Sequence, residues 1–161
     1  MKIIELTQGK VTIVDDEDFE YLNQFKWYAM EKRRGDFYAL RGRRRSEKGS
    51  RQIYMAREIM NNPKGLLVDH RDHNTLDNRK ENLRICTKAE NCRNQRKQNG
   101  CSSVHKGVSW HIRRKKWQGK IKVNGKTIYL GFFVDEDDAA RAYNASARKY
   151  FGFYACLNVI E

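Results

Sequence analysis

Residues 66–91 read LLVDHRDHNTLDNRKENLRICTKAEN, and the organisation of the whole chain turns on this stretch. Leu66, Leu67 and Val68 followed by Asp69 and His70 predict a compact strand that ends in polar groups. Residues 71–82 are crowded with Asp, Asn and His, which makes them a loop too polar to be core. Thr87-Lys88-Ala89-Glu90 has the form of a capping box, in which the Thr87 hydroxyl accepts from the Glu90 N–H and the Glu90 carboxylate reaches back. A helix over residues 88–97 follows, completing an order of strand, loop, strand and helix.

On the N-terminal side, Pro63 is the single proline and disfavours helix at Asn62, so a boundary falls at residues 61–65. Before it, residues 10–14 form a β-type run. The acidic cluster Asp15, Asp16, Glu17 and Asp18 then opens an amphipathic helix through Phe19, Leu22 and Phe25. Residues 26–30 and 37–43 alternate in polarity around Gly35-Asp36 and predict a hairpin. Its far end carries Arg41, Arg43, Arg44 and Arg45, either a solvated run or a set of phosphate contacts, since nothing acidic lies in the same strand. Ile53, Ala56, Ile59 and Met60 fit a short helix.

On the C-terminal side, residues 99–103 are small and polar and read as a linker. Residues 107–112, 117–123 and 127–132 are strand-like, the last two joined by Asn124-Gly125, a strong hairpin signal. Asp135 and Asp138 open a final helix in which Ala139, Ala142, Tyr143, Ala147 and Tyr150 recur at helical spacing up to Gly152. This helix is expected to cover one face of a three-stranded antiparallel sheet.

The net charge of +13 over 161 residues favours a polyanionic partner, nucleic acid first. Residues 1–161 contain no run of 18 apolar residues and no apolar signal core, so a membrane is not expected as partner and the bacterial or phage-infected host cytosol is the expected location. Cys86, Cys92, Cys101 and Cys156 form no C-x-x-C pair. They read as reduced thiols, with a structural zinc shared by Cys86, Cys92, Cys101 and a histidine as the alternative.

Hydrolysing a phosphodiester near neutral pH requires a base for the attacking water and a cation for the charge on phosphate and departing 3′ oxygen. Asp69 and His70 supply both residue types. Neighbours on a strand point to opposite faces, so a twisted or bulged strand end is needed for both to serve one phosphate. Taken alone, His70 reads first as a loop histidine in a structural hydrogen bond, Asn82 as a turn former and Asn91 as a polar residue on an exposed helix face.

Their joint spacing changes that reading. Asp69-His70, then Asn82 closing Leu76-Asp77-Asn78-Arg79-Lys80-Glu81, then Leu83-Arg84, then Glu90-Asn91 resembles the HNH endonucleases, particularly the phage and intron-encoded homing type. The likeness covers residues 66–95, and residues 6–30 and 53–64 are similar to the N-terminal portion of phage members. It implies a ββα-metal fold in which His70 is the general base, Asp69 and Asn91 bind one divalent cation, and Asn82 bridges the loop backbone to fix His70. Hard oxygen donors suit Mg²⁺ or Mn²⁺. His73 departs from the family, whose members carry a small residue there, and reads as an exposed loop histidine or as a shuttle or extra ligand.

Residues 103–158 hold a second set: Lys106-Gly107-Val108-Ser109-Trp110, Lys116-Trp117, Asn124-Gly125-Lys126, Tyr129-Leu130-Gly131-Phe132 and Ala139-Ala140-Arg141-Ala142-Tyr143. This resembles the AP2 DNA-binding domain, which implies that an exposed sheet face enters the major groove. Lys106, Trp110, Arg113, Lys116, Trp117, Lys120, Lys122 and Tyr129 are the candidate DNA contacts, joined by Arg43, Arg44 and Arg45. Trp110, Trp117 and Tyr129 read alternatively as core aromatics beneath the helix. Ser109 and Lys120 stand where plant AP2 domains place arginine, so no target sequence carries over.

The expected architecture is α+β, with a small N-terminal α+β segment (1–62), a ββα-metal nuclease core (63–98), a linker (99–102) and an AP2-like sheet-plus-helix domain (103–161). The expected function is metal-dependent, site-recognising cleavage of double-stranded DNA, of the nicking or homing kind. A non-catalytic AP2-type DNA-binding regulator is the alternative from another class, and RNA cleavage fits a major-groove sheet less well. One Asp69-His70-Asn91 set, no heptad seam and a charge of +13 favour a monomer that nicks one strand.

Overall fold

In a computed structural model of the chain, residues 1–33, 35–45, 51–97 and 100–160 are described. Gln98 and Asn99, where the nuclease segment was expected to pass into the linker, lie outside the described residues. The fold mixes helices with small antiparallel sheets, and the chain divides into two compact units, Met1–Lys88 and Ala89–Glu161. Among the described residues no helix is long and apolar enough to cross a membrane.

The first unit opens with a hairpin of β1 (Lys2–Glu5) and β2 (Val11–Val14), of which only the second strand was expected. Lys2 and Glu5 leave β1 with two apolar residues, too few to show a period. Helix α1 (Asp16–Leu22) carries Asp16, Glu17 and Asp18 in its first turn, where the helix dipole favours negative charge. β3 (Tyr28–Arg33) and β4 (Asp36–Gly42) pair across Gly35, whose φ of 89° suits glycine at a tight turn. A third strand, β5 (Gln52–Tyr54), pairs with β4 at residues where helix was expected. Ile53 and Tyr54 are strand formers, and α2 (Met55–Ile59) begins only after them.

β6 (Leu67–His70) and β7 (Leu83–Cys86) form the next hairpin. Its Leu83 is buried in the same cluster as Ile4, Val14, Leu22, Trp27, Met55 and Ile59, with Val68 and Leu76 packed against it. Residues 1–60 and the 67–86 hairpin therefore bury one core between them, so each would expose part of its apolar surface alone.

In the second unit, α3 (Lys88–Asn94) starts one residue ahead of the division, and β8 (Val108–His111), β9 (Lys116–Val123) and β10 (Lys126–Phe133) form an antiparallel sheet in the order β10-β9-β8. Asn124 and Gly125, with φ of 48° and 82°, make the turn whose twist suits a two-residue hairpin. Helix α4 (Glu136–Phe151) is capped by Asp135, whose carboxylate accepts from the Asp137 N–H at 2.7 Å. It buries Ala139, Ala140, Tyr143 and Ala147 against Val108 and Ile121.

Gly107 marks the tightest point of this packing. Its φ is +77°, and a Cβ there would lie 2.0 Å from the Tyr143 ring and 2.8 Å from the Lys120 carbonyl oxygen. Gly107→Ala should destabilise the second unit by roughly 2–5 kcal/mol, from left-handed strain plus overpacking. Urea unfolding followed by tryptophan fluorescence measures this, and an unchanged midpoint would contradict the packing.

Candidate active site and nucleic-acid face

The polar loop between β6 and β7 takes its backbone partners from β2. The Ile13 N–H donates to the Leu76 carbonyl at 2.9 Å and the Asn78 N–H donates to the Ile13 carbonyl at 2.8 Å, a parallel bridge between Ile13 and Asp77. Asn82 crosslinks the loop from within. Its Oδ1 accepts from the Asp72 N–H at 3.1 Å, and its Nδ2 donates to the Asp77 carbonyl at 2.9 Å. Asp77 accepts from Nε and Nη2 of Arg79 at 2.9 and 2.6 Å, which holds its carboxyl below the usual carboxylate range. The Lys80 N–H donates to Asp15 Oδ2 at 2.8 Å, pinning the loop to the start of α1.

His70 ends β6 with 6% of its surface exposed. Its Nε2 lies 3.1 Å from Asn78 Oδ1, and its ring meets Tyr38 edge-on at 6.2 Å. Burial pushes the imidazole below its ordinary pKa, opposed by the Asn78 bond and by the charges of Asp69, Asp72 and Asp77. The β6–β7 ladder is regular, pairing Asp69 with Arg84 and His70 with Leu83, so of the twisted or bulged strand end expected here the hairpin shows no bulge. His70 shares the side of Leu83 and the core, while Asp69 shares the side of Arg84.

Arg84 holds Asp69 directly. Its Nε and Nη2 donate to Asp69 Oδ2 at 2.9 and 2.7 Å, and both side chains are about nine-tenths buried. The guanidinium thus makes a charge-assisted pair with the carboxylate of the expected metal ligand. Among the described residues no group of three or more His, Cys, Asp or Glu converges on one point. One carboxylate supplemented by amide oxygens and water fits a hard, hydrated divalent cation. Asn91, the other expected ligand, lies half-buried on α3 in the second unit. His73 sits half-buried in the loop with φ of 67°, a left-handed position that explains why a small residue would suit it.

The arginine run of the first unit splits. Arg41 is 2% exposed, donates from Nε and Nη2 to Glu58 at 2.9 and 2.7 Å and lies 4.1 Å over the Phe25 ring. Glu58, on α2, is the neutralising acid that inspection of the strand alone does not reveal. Arg43, Arg44 and Arg45 are exposed, with the Arg44 guanidinium 4.3 Å over Phe25.

Strand register sorts the candidates of the second unit. Lys120 pairs with Tyr129 and Lys122 with Thr127, and these side chains share the open face with Lys116. Trp110 pairs with Trp117 at a ring separation of 5.1 Å, and Trp117 packs with Val108, Ala139 and Ala140 beneath α4. Trp117 is thus a core aromatic on the covered side, while Trp110, on the same side of the sheet, is 40% exposed and Tyr129 68%, and neither of those two is core. Arg113 is exposed in the turn after β8. Lys106 differs from its expected place, because its Nζ donates to the carbonyls of Arg93 and Gln95 at 2.7 and 2.5 Å and burial pushes its pKa down.

Residues 61–93 match the model of the HNH endonuclease family. The chain therefore carries an HNH endonuclease domain and is a nuclease enzyme. It is 29% identical to an uncharacterized HNH endonuclease of Acanthamoeba polyphaga mimivirus over 154 residues, 96% of this chain and 78% of that one. It is also 38% identical over 64 residues to protein 3.8 of Escherichia phage T7, covering 40% of this chain and 53% of the phage protein. An AP2-like ethylene-responsive transcription factor of Arabidopsis thaliana is 41% identical over 69 residues, 40% of this chain and 14% of that one.

The depressed pKa of His70 links folding to pH. Its stabilising contribution is present above the unfolded value of about 6.5 and is lost as pH falls below it, because the unfolded chain then binds a proton the buried ring resists. Urea midpoints of the wild type should decline from pH 7 to pH 5.5 more steeply than those of His70→Gln. Parallel declines would contradict the burial.

Proposed function

We propose that this protein is a divalent-cation-dependent endonuclease of double-stranded DNA, of the site-recognising nicking or homing kind, acting as a monomer. The observation that carries the reading is His70 held at the end of β6, beside a loop that Asn82 crosslinks to its own backbone. His70 is the general base: it takes a proton from water, whose oxygen bonds to phosphorus as the P–O3′ bond breaks. Neutral imidazole is the form this step needs, and burial favours it. Asp69, paired with Arg84, and Asn91 are the residues that would hold Mg²⁺ or Mn²⁺. What a bound divalent cation supplies is neutralisation of charge on the phosphate and the departing oxygen. Asn82 positions His70 through the loop backbone.

The second unit supplies affinity in this account. Lys116, Lys120, Lys122 and Tyr129 on the open sheet face, with Arg113 beside it, offer phosphate donors and one flat ring in an array narrow enough for the major groove. Likeness to an AP2-like transcription factor over part of the chain supports that use. Arg43, Arg44 and Arg45 are additional phosphate contacts from the first unit.

His70→Ala should lower nicking of supercoiled plasmid by on the order of 10²–10⁴ while leaving DNA affinity unchanged, and EDTA should abolish wild-type activity. Equal cleavage by the variant would remove His70 from the role. A wild type that binds DNA but never cuts would favour a regulator instead. Replacing Lys116, Lys120 and Lys122 by Ala should reduce the slope of log affinity against log salt by about 0.9 per lysine, leaving the cleavage chemistry intact. An unchanged slope would mean that this face does not read DNA.

A further inference from the structure

We infer that Asn78, with Thr12 behind it, is a positioning residue that fixes which nitrogen of His70 is the base, so that the N-terminal hairpin belongs to the catalytic apparatus. This rests on the nuclease reading for its consequence, but its geometry stands alone.

Thr12 Oγ1 lies 2.7 Å from the Leu76 carbonyl oxygen, which can only accept, so the one hydroxyl proton of Thr12 is directed there. Met55 Sδ, at 3.9 Å, is a weak competitor. The Thr12 oxygen is left to accept, and the Asn78 side-chain atom 2.8 Å away must be its NH₂. The amide is thus oriented with its oxygen towards His70, 3.1 Å from Nε2. An amide oxygen also only accepts, so Nε2 carries the proton. Neutral imidazole has one N–H, which places the lone pair on Nδ1.

Each member of this relay is fixed by something other than the relay. Thr12 is fully buried and paired with Ile4 in the β1–β2 ladder. The Leu76 carbonyl also accepts from the Ile13 N–H, and the Asn78 backbone donates to the Ile13 carbonyl. Asn78 is 1% exposed, so water does not compete for its amide. The orientation of a group 58 residues along the chain is therefore set by a hydroxyl on β2.

The test reads the tautomer of His70 in the ¹⁵N-labelled full chain by long-range ¹H–¹⁵N correlation, at a pH where the ring is neutral and without DNA or cation. The His70 signals are assigned by their loss in His70→Gln. The wild type should show Nε2–H. Thr12→Val keeps the shape but removes the hydroxyl, so the Asn78 amide can turn over, an Nδ1–H population should appear, and kcat for plasmid nicking should drop roughly 10- to 100-fold with DNA affinity unchanged. Thr12→Ser should restore both. Asn78→Asp, which presents only acceptors, should keep Nε2–H, and with the wild-type spectrum it decides the matter should Thr12→Val not fold. An Nδ1–H wild type, or a Thr12→Val chain that changes the tautomer without the rate or the rate without the tautomer, would overturn the inference, as would one that changes neither. A wild type that never cleaves would refute the nuclease reading, while its spectrum would still decide the placement.

Discussion

Two backbone hydrogen bonds between Ile13 and the 71–82 loop, Ile13 N–H to Leu76 and Asn78 N–H to Ile13, are the constraint on which the candidate active site depends. A loop this rich in Asp, Asn and His has many ways to hydrogen-bond itself and few apolar side chains with which to choose among them. β2 offers an edge whose donor and acceptor are at fixed spacing, and docking there selects one arrangement. Leu76 is then carried to the core, Asn78 beneath His70, and Asn82 to where its amide spans the loop. The region that matches the HNH family begins at residue 61, but the surface that shapes its loop lies at residues 11–14.

Charge is distributed with a similar division. Inside the first unit, the two most deeply buried ion pairs, Arg41 with Glu58 and Asp69 with Arg84, are bidentate or doubly donated. Removing either partner would strand a buried charge, a larger effect than the net stabilisation the pair contributes. The exposed excess sits elsewhere, in Arg43, Arg44 and Arg45 and in the lysines of the open sheet face. A net charge of +13 is thus compatible with a folded core because the arginines that enter it are matched, leaving the exposed ones to meet a polyanion.

Much of this was legible in the residues, and the parts that were not share a physical cause. Asn124-Gly125, the alanine spacing of α4 and the Asp135 cap each act over a few residues, and local rules recover them. β1 and β5 are too short for a period to show, and they exist because a neighbouring strand offers a ladder. Trp117 looks like a DNA-reading residue until register is known, since a shift of one residue moves a strand's side chains to the other face. Glu58 neutralises Arg41 from 17 residues away, and Thr12 orients Asn78 from 66 away. No periodicity connects such positions. The spacing singles out His70 and Asn82, whereas nothing in it marks Asn78, which lies between them.

The central claim is that the chemistry of residues 61–93 requires the N-terminal hairpin that docks their loop. It is tested most directly by comparing the full chain with a chain beginning at residue 61, both incubated with supercoiled plasmid and Mg²⁺. The shorter chain retains Asp69, His70, Asn82, Asn91 and the whole second unit. The account predicts that the full chain converts plasmid to the nicked circle and that the shorter one, even where it still binds DNA, does not. Nicking by the shorter chain at the full chain's rate would contradict it.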